Sequence, residues 1–236
     1  MLKKSLFFFL SIFIGFSTFS QETGHSSSDD SEYEKDPNEF MKIQNLKKIN
    51  SNKLEFSPQF YQNGLVYVTS VVNSSKKDKR TGDNYYDLFY TEFGEDGLPN
   101  SVEPFSVKVS SSVHEGPVSF SRDFKTLYYT TNSTLKLHDA DNNGKKDHTL
   151  KIFEATKGTH DWQDVKELPF NSESYYCFHP ALSPDGSKLY FASNMPGGYG
   201  GSDIYYSVKS GDKWSKPKNL GPVMATRIRL LLLPGK

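Results

Sequence analysis

The residues of this chain best suited to chemistry lie in one short run, His138-Asp139-Ala140-Asp141-Asn142-Asn143-Gly144-Lys145-Lys146-Asp147. A hard cation such as Ca²⁺ takes roughly six to eight oxygens, and a loop of about twelve residues supplies them from positions 1, 3, 5, 7, 9 and 12. Asp139, Asp141 and Asn143 fall at positions 1, 3 and 5, with Gly144 at the sharp turn. Lys145 would offer its backbone carbonyl at position 7, and Asp147 stands at position 9. Leu150 occupies position 12, where a bidentate Glu is wanted, so the loop departs from the pattern at its strongest ligand. The same residue types also suit an Asx-rich hairpin whose side chains cap their own backbone. A structural Ca²⁺ and a self-capped hairpin are both open readings.

Elsewhere chemistry is sparse. Cys177 is the single cysteine, so neither an internal disulfide nor a cysteine zinc cluster can form. It stands beside Phe178 at the start of an expected strand, which suits a buried thiol better than a nucleophile. No nucleophile elbow of the form G-x-S-x-G occurs. The run Pro196 to Gly201 is glycine-rich, but a phosphate cradle enters a helix with an attendant lysine, and here a strand follows. Its glycines are expected to permit a tight backbone path covered by Tyr199, or to present a contact surface. The chain is expected not to be an enzyme.

The elements that carry these residues read as strands. Ser183-Pro184-Asp185-Gly186 is a turn, because Pro presets φ and Gly accepts a positive φ. Lys188 to Ser193 is an aromatic-rich strand, Asp203 to Val208 is a second, and Trp214 opens a third after the turn at Ser210 to Lys213. No helical period competes with this meander.

The meander repeats. Phe120 to Tyr129 matches Leu182 to Phe191, Lys151 to Thr156 matches Asp203 to Val208, and Asp161-Trp162 matches Lys213-Trp214. A weaker first copy uses Pro58 to Ser70 as one strand and Asp87 to Glu92 as the next. The spacing is in the range of propeller blades with inserted loops. The first copy carries the polar insertion Asn73 to Tyr85, with Lys76, Lys77, Lys79 and Arg80. A solvated loop is the default there, and a site for acidic groups the alternative.

The last copy, with Ser183 to Ser193 and Gly197 to Tyr205, resembles the WD40-like, TolB-type β-propeller repeat of OmpA-family envelope proteins of Gram-negative bacteria. The resemblance implies an all-β fold: a partial propeller of about three four-stranded antiparallel blades over 54–113, 114–176 and 177–223. It implies a non-catalytic envelope scaffold or protein-binding module, in some members linked to type IX secretion, with envelope proteins as partners. Peptidoglycan would be reached only through an OmpA-like domain that this sequence lacks. It also puts His114 and His179 near the central channel, where structural hydrogen bonding is the simpler role, since neither has a metal partner at H-E-x-x-H spacing. The alternatives are a propeller fragment of a secreted hydrolase or peptidase, and a carbohydrate-binding module.

The ends frame this region. Residues 1–20 read as a signal peptide, with Lys3 and Lys4 before an apolar run and a cut before Gln21. After that cut no transmembrane span is expected. Residues 21–53 form a polar linker, with Phe40 to Leu54 either a short turn or an outer strand. The chain is expected in the periplasm or on the periplasmic face of the outer membrane. Residues 224–236 are a basic, Leu-rich tail foreign to the repeat, expected to reflect a frameshift that truncates a longer protein, with a genuine amphipathic tail as the alternative. Balanced charge, 28 basic against 28 acidic residues, gives no pull toward nucleic acid. Three blades leave open edges, so the chain alone is expected to be marginally stable, to self-associate or to be degraded.

Overall fold

Runs rich in Tyr, Phe, Val and Thr between polar turns fold here into strands, as their fit to a pleated surface predicts. A computed structural model describes residues 43–70, 77, 82, 84–110, 113–132 and 149–222. The chain divides into two units, Met1–Ile43 and Gln44–Lys236, and every described strand lies in the second. Among the described residues no helix is long and apolar enough to cross a membrane.

The first sheet takes β1 (Glu55–Tyr61), β2 (Gly64–Ser70), β3 (Tyr86–Glu92) and β4 (Glu103–Pro104) in succession. The second repeats the order with β5 (Glu115–Phe120), β6 (Thr126–Thr131), β7 (Lys151–Lys157) and β8 (Trp162–Glu167). The third uses β9 (Cys177–Leu182), β10 (Lys188–Ser193) and β11 (Asp203–Ser210), then two short pieces, β12 (Lys213–Trp214) and β13 (Lys218–Asn219). All pairings are antiparallel. The fold is all-β, and its three meanders are consecutive blades of a partial β-propeller.

Two sequence expectations change, and of the two readings of Phe40 to Leu54 the described residues take the turn. The outer edge of the third blade is split, because β12 and β13 both pair with β11 and Pro217, which has no N–H to give, lies between them. Ser215 fills the gap: its Oγ accepts from the Val208 amide at 3.0 Å, and its carbonyl accepts from Ser207 Oγ at 2.6 Å. Pro58 to Ser70 is two strands, folded back between Tyr61 and Gly64 with Gln62 at φ 53°. Within the described part of Phe40 to Leu54, Lys47–Ile49 is a turn and no strand precedes Glu55.

The middle blade shows why the stack forms. Side chains alternate between the two faces of a strand, and β6 is apolar on both. Leu127 and Tyr129 enter one core with Val66, Val68 and Leu88 of the first blade. Tyr128, between them, enters a second core with Leu189, Phe191 and Tyr205 of the third. Phe170 and Phe191 stack in that second core, with centroids 4.6 Å apart and planes 4° from parallel.

A proline device recurs in the innermost strands. Each carries a register shift against its neighbour, and the unpaired residues are Ser57-Pro58, Gly116-Pro117 and His179-Pro180. Proline cannot donate to the ladder, so it sits in a bulge. Ser57 and His179 take positive φ, 52° and 55°. At the third bulge the chain ties to the second blade: the His179 amide donates to Thr130 Oγ1, and the Leu182 amide to Ser119 Oγ, each at 2.9 Å.

Candidate functional site

The proposed calcium run, with Asp139, Asp141, Asn143, Lys145 and Asp147, lies outside the described residues, as do Lys76, Lys79, Arg80 and the tail 224–236. Among the described residues no group of three or more His, Cys, Asp or Glu could hold a metal ion.

A recess of about 180 Å³ opens between the first two blades. Its first-blade wall is Tyr61, Tyr90 and Phe105, and its second-blade wall is the β7–β8 hairpin from Lys157 to Trp162. Tyr61 is the hub: its ring meets Tyr90 edge-on at 5.9 Å, Phe105 edge-on at 5.3 Å, and Trp162 at 6.2 Å. Lys157 Nζ donates to Tyr61 Oη at 2.5 Å and lies 4.9 Å from the ring centroid, a cation–π position. Lys157, Thr159 and His160 are exposed, whereas Tyr61 and Trp162 are only 6% and 4% exposed. The aromatics therefore offer edges and one hydroxyl to an entering group, not open faces.

Asp161 closes the hairpin side. Its carboxylate accepts from Ser106 Oγ at 2.6 Å, from the Val107 and Lys108 amides at 3.1 Å each, and from its neighbour Trp162 at 2.7 Å. Burial opposes its charge, but these donors outweigh that and hold it below the usual carboxylate range. Asp161 thus fastens the two blades together at the recess.

Of the other sequence candidates, Cys177 and His114 have structural roles. Cys177 is fully buried, and burial pushes its thiol up to about 11, which removes it as a nucleophile at neutral pH. His114 Nδ1 accepts from the Tyr86 amide at 3.1 Å, and its ring meets Tyr85 and Tyr86, so it joins the second blade to the first. His179 is exposed at the third bulge, edge-on to Phe178 at 5.0 Å. The glycine-rich loop folds around Asp203, whose Oδ2 accepts from the amides of Tyr199 and Gly200 and from Asn219 Nδ2. Tyr199 does not cover this loop: it is 63% exposed, because its backbone, not its ring, is the group the loop uses.

Sequence reading did not find the recess. Its one local signal was the match of Asp161-Trp162 to Lys213-Trp214; Tyr61 and Lys157 lie 96 residues apart.

No family model matches the chain, and no curated protein matches it. Solved structures share weak likeness. One is a Mycobacterium tuberculosis puromycin-hydrolyzing peptidase, at TM-score 0.45 and 10% identity, covering 72% of this chain and 24% of that one. Another is the periplasmic gluconolactonase PpgL of Pseudomonas aeruginosa, at TM-score 0.36 and 13% identity, covering 66% and 38%. A prolyl endopeptidase follows, at TM-score 0.30 and 13% identity, covering 75% and 30%. The chain spans between about a quarter and two fifths of the length of these proteins.

Proposed function

We propose that the chain is a non-catalytic, exported scaffold of the cell envelope, the propeller portion of an OmpA-type envelope protein, and that it acts by packing blades against protein partners. One observation supports this most directly. Tyr128, Ile152 and Glu154 of the second blade are buried against the third. The third blade carries Tyr190, Ile204 and Tyr206 at the equivalent positions, and these are only half-buried. Among the described strands none packs on that face. A face built to repeat a blade joint is a protein-binding face, for an envelope protein or a second copy.

The test has three parts. Sedimentation of the full chain is expected to show self-association that Tyr190→Lys with Tyr206→Lys abolishes, with the melt unchanged. Purified protein is expected to leave chromogenic peptide, lactone and glycoside substrates intact; turnover of any would support the hydrolase reading instead. Fractionation of the native host is expected to recover the chain outside the cytoplasm, cleaved before Gln21. Recovery in the cytoplasm would overturn the envelope assignment. At the recess, the burial of Tyr61 and Trp162 leaves no open aromatic face for carbohydrate stacking.

A further inference from the structure

The two blade joints share a lysine–tryptophan cross-strand pair and differ in what the lysine meets. At the joint of second and third blades, Lys209 pairs across β11 and β12 with Trp214 and lies 5.3 Å from its ring centroid. Its ammonium donates to Tyr128 Oη at 3.1 Å and stands 3.9 Å from Glu154 Oε2. At the joint of first and second blades, Lys157 pairs with Trp162 in the same register and reaches back to Tyr61. The position that Glu154 fills, opposite Tyr128 in the β6–β7 ladder, is filled in the β2–β3 ladder by Tyr90, opposite Val66. Tyr90 spends its hydroxyl on Asn63 Oδ1 at 3.1 Å. Among the described residues Lys157 therefore keeps the cation of this joint without the carboxylate, and beside it is the recess. Asp161 is no substitute, since its oxygens are held by Ser106, Val107, Lys108 and Trp162.

We propose that the recess binds a carboxylate carried on a small ring or short apolar body, with the carboxylate at Lys157 Nζ and the body against Phe105 and Trp162. A recess of about 180 Å³ admits one ring rather than an extended ligand. A charge-assisted bond to an ammonium is stronger than a neutral one, and Tyr61 Oη already orients the ammonium. The site is independent of the scaffold reading: it needs only the first joint.

The test is a titration of the ¹⁵N-labelled full chain with phenylacetate, alongside phenylacetamide, which has the same shape and no charge. Saturable shifts confined to Gly158, Thr159, His160, Asp161 and Trp162 are expected, with a Kd on the order of 1 mM. Phenylacetamide and the variant Lys157→Gln are each expected to bind about tenfold more weakly or worse. Tyr90→Glu supplies the missing carboxylate from within and is expected to have the same effect; unshifted signals of Phe170 and Phe191 report that the fold holds. N-acetyl-glycyl-phenylalanine separates the sources: tighter binding than phenylacetate assigns a peptide C-terminus, weaker binding a free acid. The proposal is overturned by an absence of saturable shifts, by equal binding of phenylacetamide, or by unchanged binding to Lys157→Gln. The last two readouts decide the matter even if Tyr90→Glu does not fold.

Discussion

An ideal Cβ on Gly198 would stand 2.2 Å from Oδ2 of Asp203. No real side chain tolerates that approach, so the glycine is required by the carboxylate it wraps and not by its own turn. Gly198→Ala is therefore expected to push the loop off Asp203 and destabilise the chain by about 1–3 kcal/mol. Gly201, whose Cβ would meet nothing within 4 Å, is the control, and Gly201→Ala is expected to stay within about 0.5 kcal/mol of the parent. Urea midpoints of the two variants check this.

His179 sits at φ 55° in the third inner-strand bulge. A left-handed backbone costs an L-residue roughly 1–2 kcal/mol, and a β-branched residue suffers most. His179→Val is expected to lower stability by more than about 1 kcal/mol, whereas His179→Gly is expected to be neutral or mildly stabilising. Thermal melts of both variants would show it; equal losses would place the cost in the lost imidazole rather than the backbone.

Cys177 lies at the foot of β9 with no exposed surface, and its thiol is pushed up to about 11. A disulfide reagent is expected to leave the native chain unlabelled at pH 8 and to react at the rate at which the blade opens. Labelling should therefore accelerate along the same denaturant curve as loss of the aromatic signal. Fast labelling of native protein would show that the second core is breached locally.

Asp185 in the β9–β10 turn accepts from Ser183 Oγ at 2.5 Å, from the Ser187 amide at 3.0 Å and from Ser187 Oγ at 2.8 Å. These donors lower its carboxyl from an ordinary 3.8 to about 2. Because the folded value is depressed, the turn's contribution is present above pH 3.8 and is lost as pH falls through about 2. A carboxyl NMR titration is expected to place the Asp185 midpoint near 2, and Ser183→Ala is expected to raise it.

Glu154, 5% exposed, meets Lys166 Nζ at 2.8 Å and Lys209 Nζ at 3.9 Å. Burial raises its carboxyl, but the Lys166 hydrogen bond, the two lysine charges and Tyr128 outweigh that and leave it lowered. Its stabilisation is thus present above the ordinary value of 4.5 and lost as pH falls through the lower folded value. Glu154→Gln is expected to cost about 1–3 kcal/mol at pH 7. The gap between variant and parent should narrow at pH 3, as read from urea midpoints at both pH values. A gap that widens in acid would reverse the sign of the argument.

Strands and tight turns were legible because their signals are local. The aromatic-rich runs of β6 and β10, and the Ser183-Pro184-Asp185-Gly186 turn, need only neighbouring residues, and the β9–β10–β11 meander stands where those signals put it. The break of the third blade's outer edge had a local sign too, Pro217, as did the bulges at Pro58, Pro117 and Pro180, since proline in a strand leaves an unfilled donor position. The recess had almost none. Ser106 binds Asp161 across 55 positions and Lys157 binds Tyr61 across 96, so which side chains share a joint depends on how one blade seats on the next. The sequence by itself determined an all-β chain of repeating meanders, because period and turn chemistry act over a few residues. Tertiary structure alone decided that, among the described residues, Lys209 meets a carboxylate and Lys157 does not, because the charge balance of a joint is a property of two sheets in contact.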